Sequence, residues 1–90
     1  MDCGNTLKPG QVVRALAGRD KDKVFLVVDI TKDNYVYIAD GAKRKIEAPK
    51  RKKIKHLQKY NLVSATINEK LVKGERPDNS LIRKELSAYK

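Results

Sequence analysis

The chain has few of the residues that form covalent cross-links or metal sites. Its 90 residues include one cysteine, one histidine, one phenylalanine and no tryptophan. A single cysteine, Cys3, excludes an intrachain disulfide, and a lone thiol is typical of a reducing compartment. A metal site needs several ligands close together, which one histidine, His56, and one distant cysteine do not supply. The sequence therefore predicts a protein without a metal or other cofactor.

Long apolar runs and recognisable catalytic groups are also missing. No apolar run approaches the roughly 18 residues that a membrane-spanning helix requires, and the N-terminus lacks the charged and then apolar pattern of a signal peptide. The sequence has no Ser–His–Asp arrangement, no phosphate-binding glycine loop and no pair of inward carboxylates. We therefore expect a cytoplasmic, monomeric protein that is not an enzyme and has no membrane partner.

Acidic residues are nearly absent from one segment, which carries most of the net charge. Residues 43–59, here called the basic segment, contain nine lysines and arginines and one acid, Glu47. Their net charge is therefore +8, out of +10 for the whole chain. Cations so close together repel one another and oppose compaction unless an anion is nearby. Charge that serves only solubility is better dispersed, so the pattern favours binding to a polyanion.

Three short, β-branched or alternating runs in the first forty residues predict strands separated by turn residues. A flexible lead-in is expected over residues 1–8, and the predicted strands are residues 11–16, 24–30 and 35–39. In the third strand Val36 and Ile38 lie on one face. The opposite face carries Tyr35, Tyr37 and Ala39.

The first predicted strand contains two adjacent valines, Val12 and Val13. Successive side chains of a strand point to opposite faces, so both valines cannot face the core of a regular, half-buried strand. The two-residue alternation does not decide which of the two valines faces the core.

The basic segment predicts two further strands. Residues 43–47 form the fourth, with Ile46 inward, and Pro49 ends it. Residues 53–57 alternate again and form the fifth. Five short strands at this spacing predict a mainly β fold, a small and strongly bent barrel over residues 9–60.

The C-terminal extension, residues 61–90, has a less regular pattern. Residues 62–67 fit a strand, but Thr66 or Asn68 also fits the start of a short helix that runs through Leu71. Apolar residues then recur at about helical spacing, which predicts an amphipathic helix over residues 80–89. This helix either packs on the barrel or docks on a partner protein, and its apolar face comprises Leu81, Ile82, Leu86 and Tyr89.

A pair of valines, a polar loop and an apolar strand follow one another in the first half of the chain. They are Val12-Val13, Ala17-Gly18-Arg19-Asp20-Lys21-Asp22-Lys23 and Phe25-Leu26-Val27-Val28. Residues 11–38 thereby resemble the KOW motif, a strand, loop and strand element of ribosomal and transcription-elongation proteins. The motif usually has a second glycine after the loop lysine, and this chain has Asp22 there.

A wider likeness covers roughly residues 8–60. It rests on Gly18-Arg19-Asp20, Asp40-Gly41, Arg44-Lys45, Pro49-Lys50-Arg51-Lys52 and His56-Leu57. The combination is similar to a family of short bacterial KOW-domain RNA-binding proteins, which are related to a large-subunit ribosomal protein family of archaea and eukaryotes. The resemblance implies an SH3-like β-barrel, RNA binding and association with the ribosome.

The first hypothesis is therefore a non-catalytic protein that binds structured RNA, with ribosomal RNA implied by the resemblance. Lysine and arginine attract phosphates, and release of condensed counterions drives association. No helix-turn-helix, zinc-finger spacing or long basic helix suggests DNA. The candidate RNA contacts are Arg19, Lys21, Lys23, Lys43, Arg44, Lys45, Lys50, Arg51, Lys52, Lys53, Lys55 and His56.

Three further candidate residues have two interpretations each. Gly18 can take a positive φ and let the loop backbone approach a phosphate, although the alternating charges beside it also suit a solvated hairpin. Tyr35 and Tyr37 either pack on a neighbouring strand or helix, or stack on unpaired bases.

A second hypothesis for the whole protein comes from a different class. The C-terminal helix could bind a protein of the transcription or translation machinery, which makes the chain an interaction adaptor. In that case the basic charge acts as a general steering field.

Overall fold

The computed structural model describes residues 7–88. They form β1 (Gln11–Ala15), β2 (Val24–Ile30), β3 (Tyr35–Ala39), β4 (Lys50–Lys53), a 3-10 helix (Ile54–His56), β5 (Leu57–Val63), α1 (Ala65–Val72) and α2 (Asn79–Ser87). The strands make one antiparallel sheet in the order β4-β3-β2-β1-β5, which confirms the expected mainly β fold with five strands. Cys3, Tyr89 and most of the expected lead-in lie outside the described residues.

The sheet contributes to two hydrophobic cores. The first contains Val13, Ala15, Phe25, Val27, Val36, Ile38 and Leu57. The second combines the alternate strand positions with the two helices and contains Val12, Leu26, Ala39, Ile67, Ile82 and Leu86. Because successive strand residues point to opposite faces, the two adjacent valines of β1 enter different cores, and both are fully buried.

Helix α2 packs its apolar face on the sheet. It begins after Asp78, whose side chain accepts a hydrogen bond from the Leu81 N–H at 2.8 Å. Ile82 and Leu86 are fully buried in the second core, and Leu81 packs against it. The helix thus takes the first of its two expected positions, and the apolar face on which the adaptor hypothesis relied is covered by the protein itself.

Residues 62–71, where the sequence was ambiguous, contain both a strand end and a helix start. Strand β5 continues to Val63, and Ser64 then caps α1 by accepting from the Ile67 N–H at 3.3 Å. The expected boundary between residues 60 and 61 therefore falls inside β5. The C-terminal extension also supplies three of the buried side chains of the second core.

The predicted fourth strand at residues 43–47 is wrong, because other contacts hold these residues in a loop. The Asp40 carboxylate accepts hydrogen bonds from the N–H groups of Ala42 and Arg44, at 2.9 Å each. The Asn79 side chain accepts from the Ile46 N–H at 2.8 Å. Backbone donors that are paired in this way cannot also pair in a strand ladder.

Strand β4 instead consists of four consecutive basic residues, Lys50-Arg51-Lys52-Lys53, at one edge of the sheet. The predicted fifth strand at residues 53–57 is also wrong, because Ile54–His56 form a 3-10 helix and β5 begins at Leu57. An edge strand tolerates four cations because much of it faces water, and charged edges also discourage pairing with other chains.

Candidate nucleic-acid interface

Strand pairing distributes the cations of β4 alternately over the two faces of the sheet. Arg51 and Lys53 lie opposite the two tyrosines of β3, whereas Lys50 and Lys52 lie opposite side chains of the first core. Three of these cations are exposed, and Lys52 is half-buried. Tyr37, which lies opposite Arg51, is also half-buried. Because the ladder with β3 fixes the backbone, these cations occupy set positions on the surface.

Tyr35 is the centre of a cation–aromatic group at the end of β4. The Arg51 guanidinium carbon lies 3.9 Å from the centroid of its ring, and Lys53 Nζ lies 5.8 Å away. Beside them is a cavity of about 410 Å³. Its lining consists of Asp33, Asn34, Tyr35, Lys53, Ile54 and Lys55. Such a group can hold a nucleic-acid base near the ring and a phosphate near the lysines.

The loop between β1 and β2 is closed by its own backbone. The Asp22 N–H donates to the Ala15 carbonyl at 2.8 Å, and the Ala15 N–H donates to the Lys23 carbonyl at 3.0 Å. Gly18 and Asp22 have positive φ angles of 84° and 70°. Asp22 thus takes the left-handed conformation that glycine favours and aspartate tolerates.

An ion pair joins this loop to the basic segment. Arg44 Nε and Nη2 donate to Asp20 Oδ2 at 3.1 and 2.9 Å, and the Asp20 side chain is only 6% exposed. Lys52 Nζ donates to the Ala17 carbonyl at 3.2 Å. The loop is thus attached both to the β3–β4 loop and to β4. The charge of Asp20 is neutralised inside the protein, so it does not repel an anion from the loop.

The predicted contact residues differ in their exposure and in their bonds to the rest of the protein. The exposed cations are Arg19, Lys21, Lys23, Lys43, Lys45, Lys50, Arg51, Lys53 and Lys55. Arg44 and Lys52 are partly buried and already hold the loop. His56 is half-buried, and its carbonyl accepts from the Leu16 N–H at 2.9 Å, which attaches the 3-10 helix to the end of β1.

Two residues near this surface were missed by sequence reasoning. Asn79 of α2 donates to the Glu47 carboxylate at 2.7 Å, and this hydrogen bond lowers the pKa of Glu47. Arg14 of β1 donates from Nη2 to Gln58 Oε1 at 2.7 Å. Their partners are 32 and 44 positions away in the sequence, so no local pattern could have identified them.

Replacing Arg44 by methionine is expected to lower the free energy of unfolding by about 2 kcal/mol, because the Asp20 carboxylate would be left nearly buried without its cation. The matched controls are Lys43→Met and Lys45→Met. These neighbours are exposed, and each change should cost less than about 0.5 kcal/mol. Urea unfolding at neutral pH measures the three effects. Equal effects would mean that Arg44 is one more surface cation.

A comparison with known protein families finds no match for this chain, and a comparison with curated proteins finds none either. Within residues 7–88, no helix is long and apolar enough to cross a membrane. The same residues include no group of three or more His, Cys, Asp or Glu side chains that could hold a metal ion.

Proposed function

We propose that the protein is a non-catalytic, cytoplasmic RNA-binding module of the SH3-like KOW type, which contacts structured RNA of the large ribosomal subunit. The observation that carries the proposal is β4, in which four consecutive cations stand on a strand paired with β3. Arg51 of this strand also stacks on Tyr35. Cations at set positions suit a phosphate surface of defined shape, such as that of folded RNA.

The loops extend this cationic surface. The bonds from Arg44 to Asp20 and from Lys52 to Ala17 hold the β1–β2 loop against the basic segment. One RNA can therefore contact the exposed cations of both regions. The cavity beside Tyr35 offers room for an unpaired base, whose stacking on an aromatic ring is worth roughly 1–3 kcal/mol.

The KOW resemblance adds support for RNA. The left-handed backbone of Asp22, φ 70°, matches the position at which the motif usually has glycine. The adaptor hypothesis has less support, because Ile82 and Leu86 of its supposed docking face are fully buried within the protein.

Binding of the wild-type protein to a fluorescent RNA hairpin is expected to weaken with salt, with a log–log slope of about −3.5 to −4.5 for about five phosphate contacts. Anisotropy titrations between about 50 and 200 mM salt measure this slope. A DNA duplex of the same sequence is the matched control and should bind more weakly, because its backbone has a different shape. A slope near zero, or equal affinity for the two nucleic acids, would contradict the proposal.

The ribosomal partner has its own test. The tagged protein should sediment with the large ribosomal subunit at low salt and be released at high salt, because its contacts are mainly with phosphates. Sedimentation away from that subunit at low salt would contradict this part of the proposal.

A further inference from the structure

A second cavity, of about 590 Å³, lies at the opposite end of the sheet from the cavity beside Tyr35. We call it the Arg14 cavity. It is bordered by the end of β1, the start of β2, the β3–β4 loop and β5, and its polar lining includes Arg14, Asp22, Lys23, Asp40, Lys43 and Tyr60. Its volume lies within the range of about 300–1,000 Å³ that is usual for sites of small ligands.

The charges of this cavity favour an anion. Arg14, Lys23 and Lys43 come from three separate parts of the chain and meet at one concave surface. The two carboxylates of the lining reduce the net charge to +1. Asp40 Oδ1 is held by two backbone N–H groups at 2.9 Å, which leaves fewer of its lone pairs facing the cavity. A concave surface with excess positive charge concentrates anions near it.

Arg14 supplies a specific reason for an anion to bind. Its Nη2 donates to Gln58 Oε1 at 2.7 Å. Its Nε is buried and has no hydrogen-bond partner among residues 7–88. A buried donor without a partner is unfavourable, and a guanidinium cannot relieve this by losing its proton. The same guanidinium lines the cavity, so an anion bound there would lie beside a cation whose hydrogen bonds within the protein are incomplete.

Tyr60 and Asp22 supply groups that a base can use. Tyr60 is half-buried and packs against the second core, so its ring is held in place where it lines the cavity. Asp22 is exposed and on the same lining, and a carboxylate accepts hydrogen bonds from the amino groups of bases. Cations, an aromatic ring and an acceptor are the groups by which proteins bind single nucleotides.

We propose that the Arg14 cavity binds one nucleotide, with its phosphate at Arg14, Lys23 and Lys43 and its base against Tyr60. Where the nucleotide is an unpaired residue of the bound RNA, this proposal rests on the RNA-binding function and adds a specific site to it. A free nucleotide has the same chemistry. Because Asp22 is an acceptor, a base with an amino group, as in AMP, GMP or CMP, should bind better than UMP.

Titration of the ¹⁵N-labelled protein with AMP, GMP, CMP, UMP and inorganic phosphate tests this proposal. We expect AMP, GMP and CMP to shift the Arg14 Nε–H cross-peak and the backbone signals around the cavity, at lower concentrations than UMP or phosphate. No shift of the Arg14 cross-peak, or equal binding of phosphate and all four nucleotides, would overturn the proposal. A short single-stranded RNA that shifts the same signals identifies RNA as a source of the nucleotide.

The double variant Lys23→Gln, Lys43→Gln makes the test independent of folding, because both residues are exposed. Loss of two charge-assisted hydrogen bonds should weaken AMP binding roughly 100-fold. Unchanged AMP binding in this variant would overturn the assignment of the phosphate.

Failure of the RNA hairpin to bind while AMP shifts the cavity signals would reject only the RNA proposal. Hairpin binding without any AMP effect would reject only the cavity proposal.

Discussion

Replacement of Lys50, Arg51, Lys52 and Lys53 together by glutamine is expected to weaken binding of the RNA hairpin by on the order of 10²–10³-fold at 0.1 M salt. Each phosphate contact contributes about 0.7–0.9 to the log–log salt slope, so each contributes about a factor of 5–8 at this salt concentration. Loss of three or four contacts then gives the stated range. The salt slope itself should become shallower by about 2–4.

The β4 variant needs a control with the same net charge, because loss of any cation weakens long-range attraction. The combination Lys8→Gln, Lys73→Gln, Arg76→Gln and Lys84→Gln removes four exposed cations outside the basic segment. Both variants lower the net charge from +10 to +6. We expect the control to bind RNA within a few-fold of the wild type. Equal losses in the two variants would mean that RNA responds to total charge and not to β4.

Replacement of Gly41 by alanine is expected to lower the free energy of unfolding by about 2–5 kcal/mol. Gly41 is buried with φ +78°, a conformation that costs other residues about 1–2 kcal/mol. A Cβ at this position would also collide with the carbonyl oxygen of Asn79 in α2. To avoid the collision, α2 and the loop that carries Lys43 and Arg44 must move apart.

Gly74→Ala separates the cost of a positive φ from the cost of the collision with α2. Gly74 has φ +82°, and a Cβ there would meet nothing within 4 Å. This variant should therefore lose only the backbone contribution of about 1–2 kcal/mol, as measured by urea unfolding. If Gly41→Ala costs no more than Gly74→Ala, the collision with α2 does not contribute to the loss of stability.

The first three strands could be predicted because their signals are local. The alternation of Val36 and Ile38 with Tyr35 and Tyr37 is present in five consecutive residues, and the burial of β3 follows it. The fourth strand was misplaced because two parts of the basic segment both fit a strand. Which of the two parts becomes the strand depends on Asp40 and Asn79. Their side chains accept hydrogen bonds from backbone N–H groups of residues 42–46, so β4 is the part that pairs with β3.

The burial and bonding of the candidate RNA contacts could not be predicted from the sequence. Charge identified the cations, but it could not separate Arg44 and Lys52, which bond to Asp20 and Ala17, from the exposed cations around them. Nor could it show that Arg14, in a mainly apolar strand, would line a cavity with Lys23 and Lys43. Arg44 and Lys52 differ from the exposed cations because each has a partner far away in the sequence. Asp20 is 24 positions from Arg44, and Ala17 is 35 positions from Lys52.

The sequence by itself determined the first three strands, the faces of β3 and the concentration of charge in the basic segment. Each of these depends on residue type and on spacing over a few neighbouring residues. Only the tertiary structure decided which basic residues became an edge strand, which cation is neutralised by Asp20, and that the C-terminal helix covers the sheet. Strand register, ion pairs and packing join residues that are distant in the sequence, so they exist only once the chain has folded.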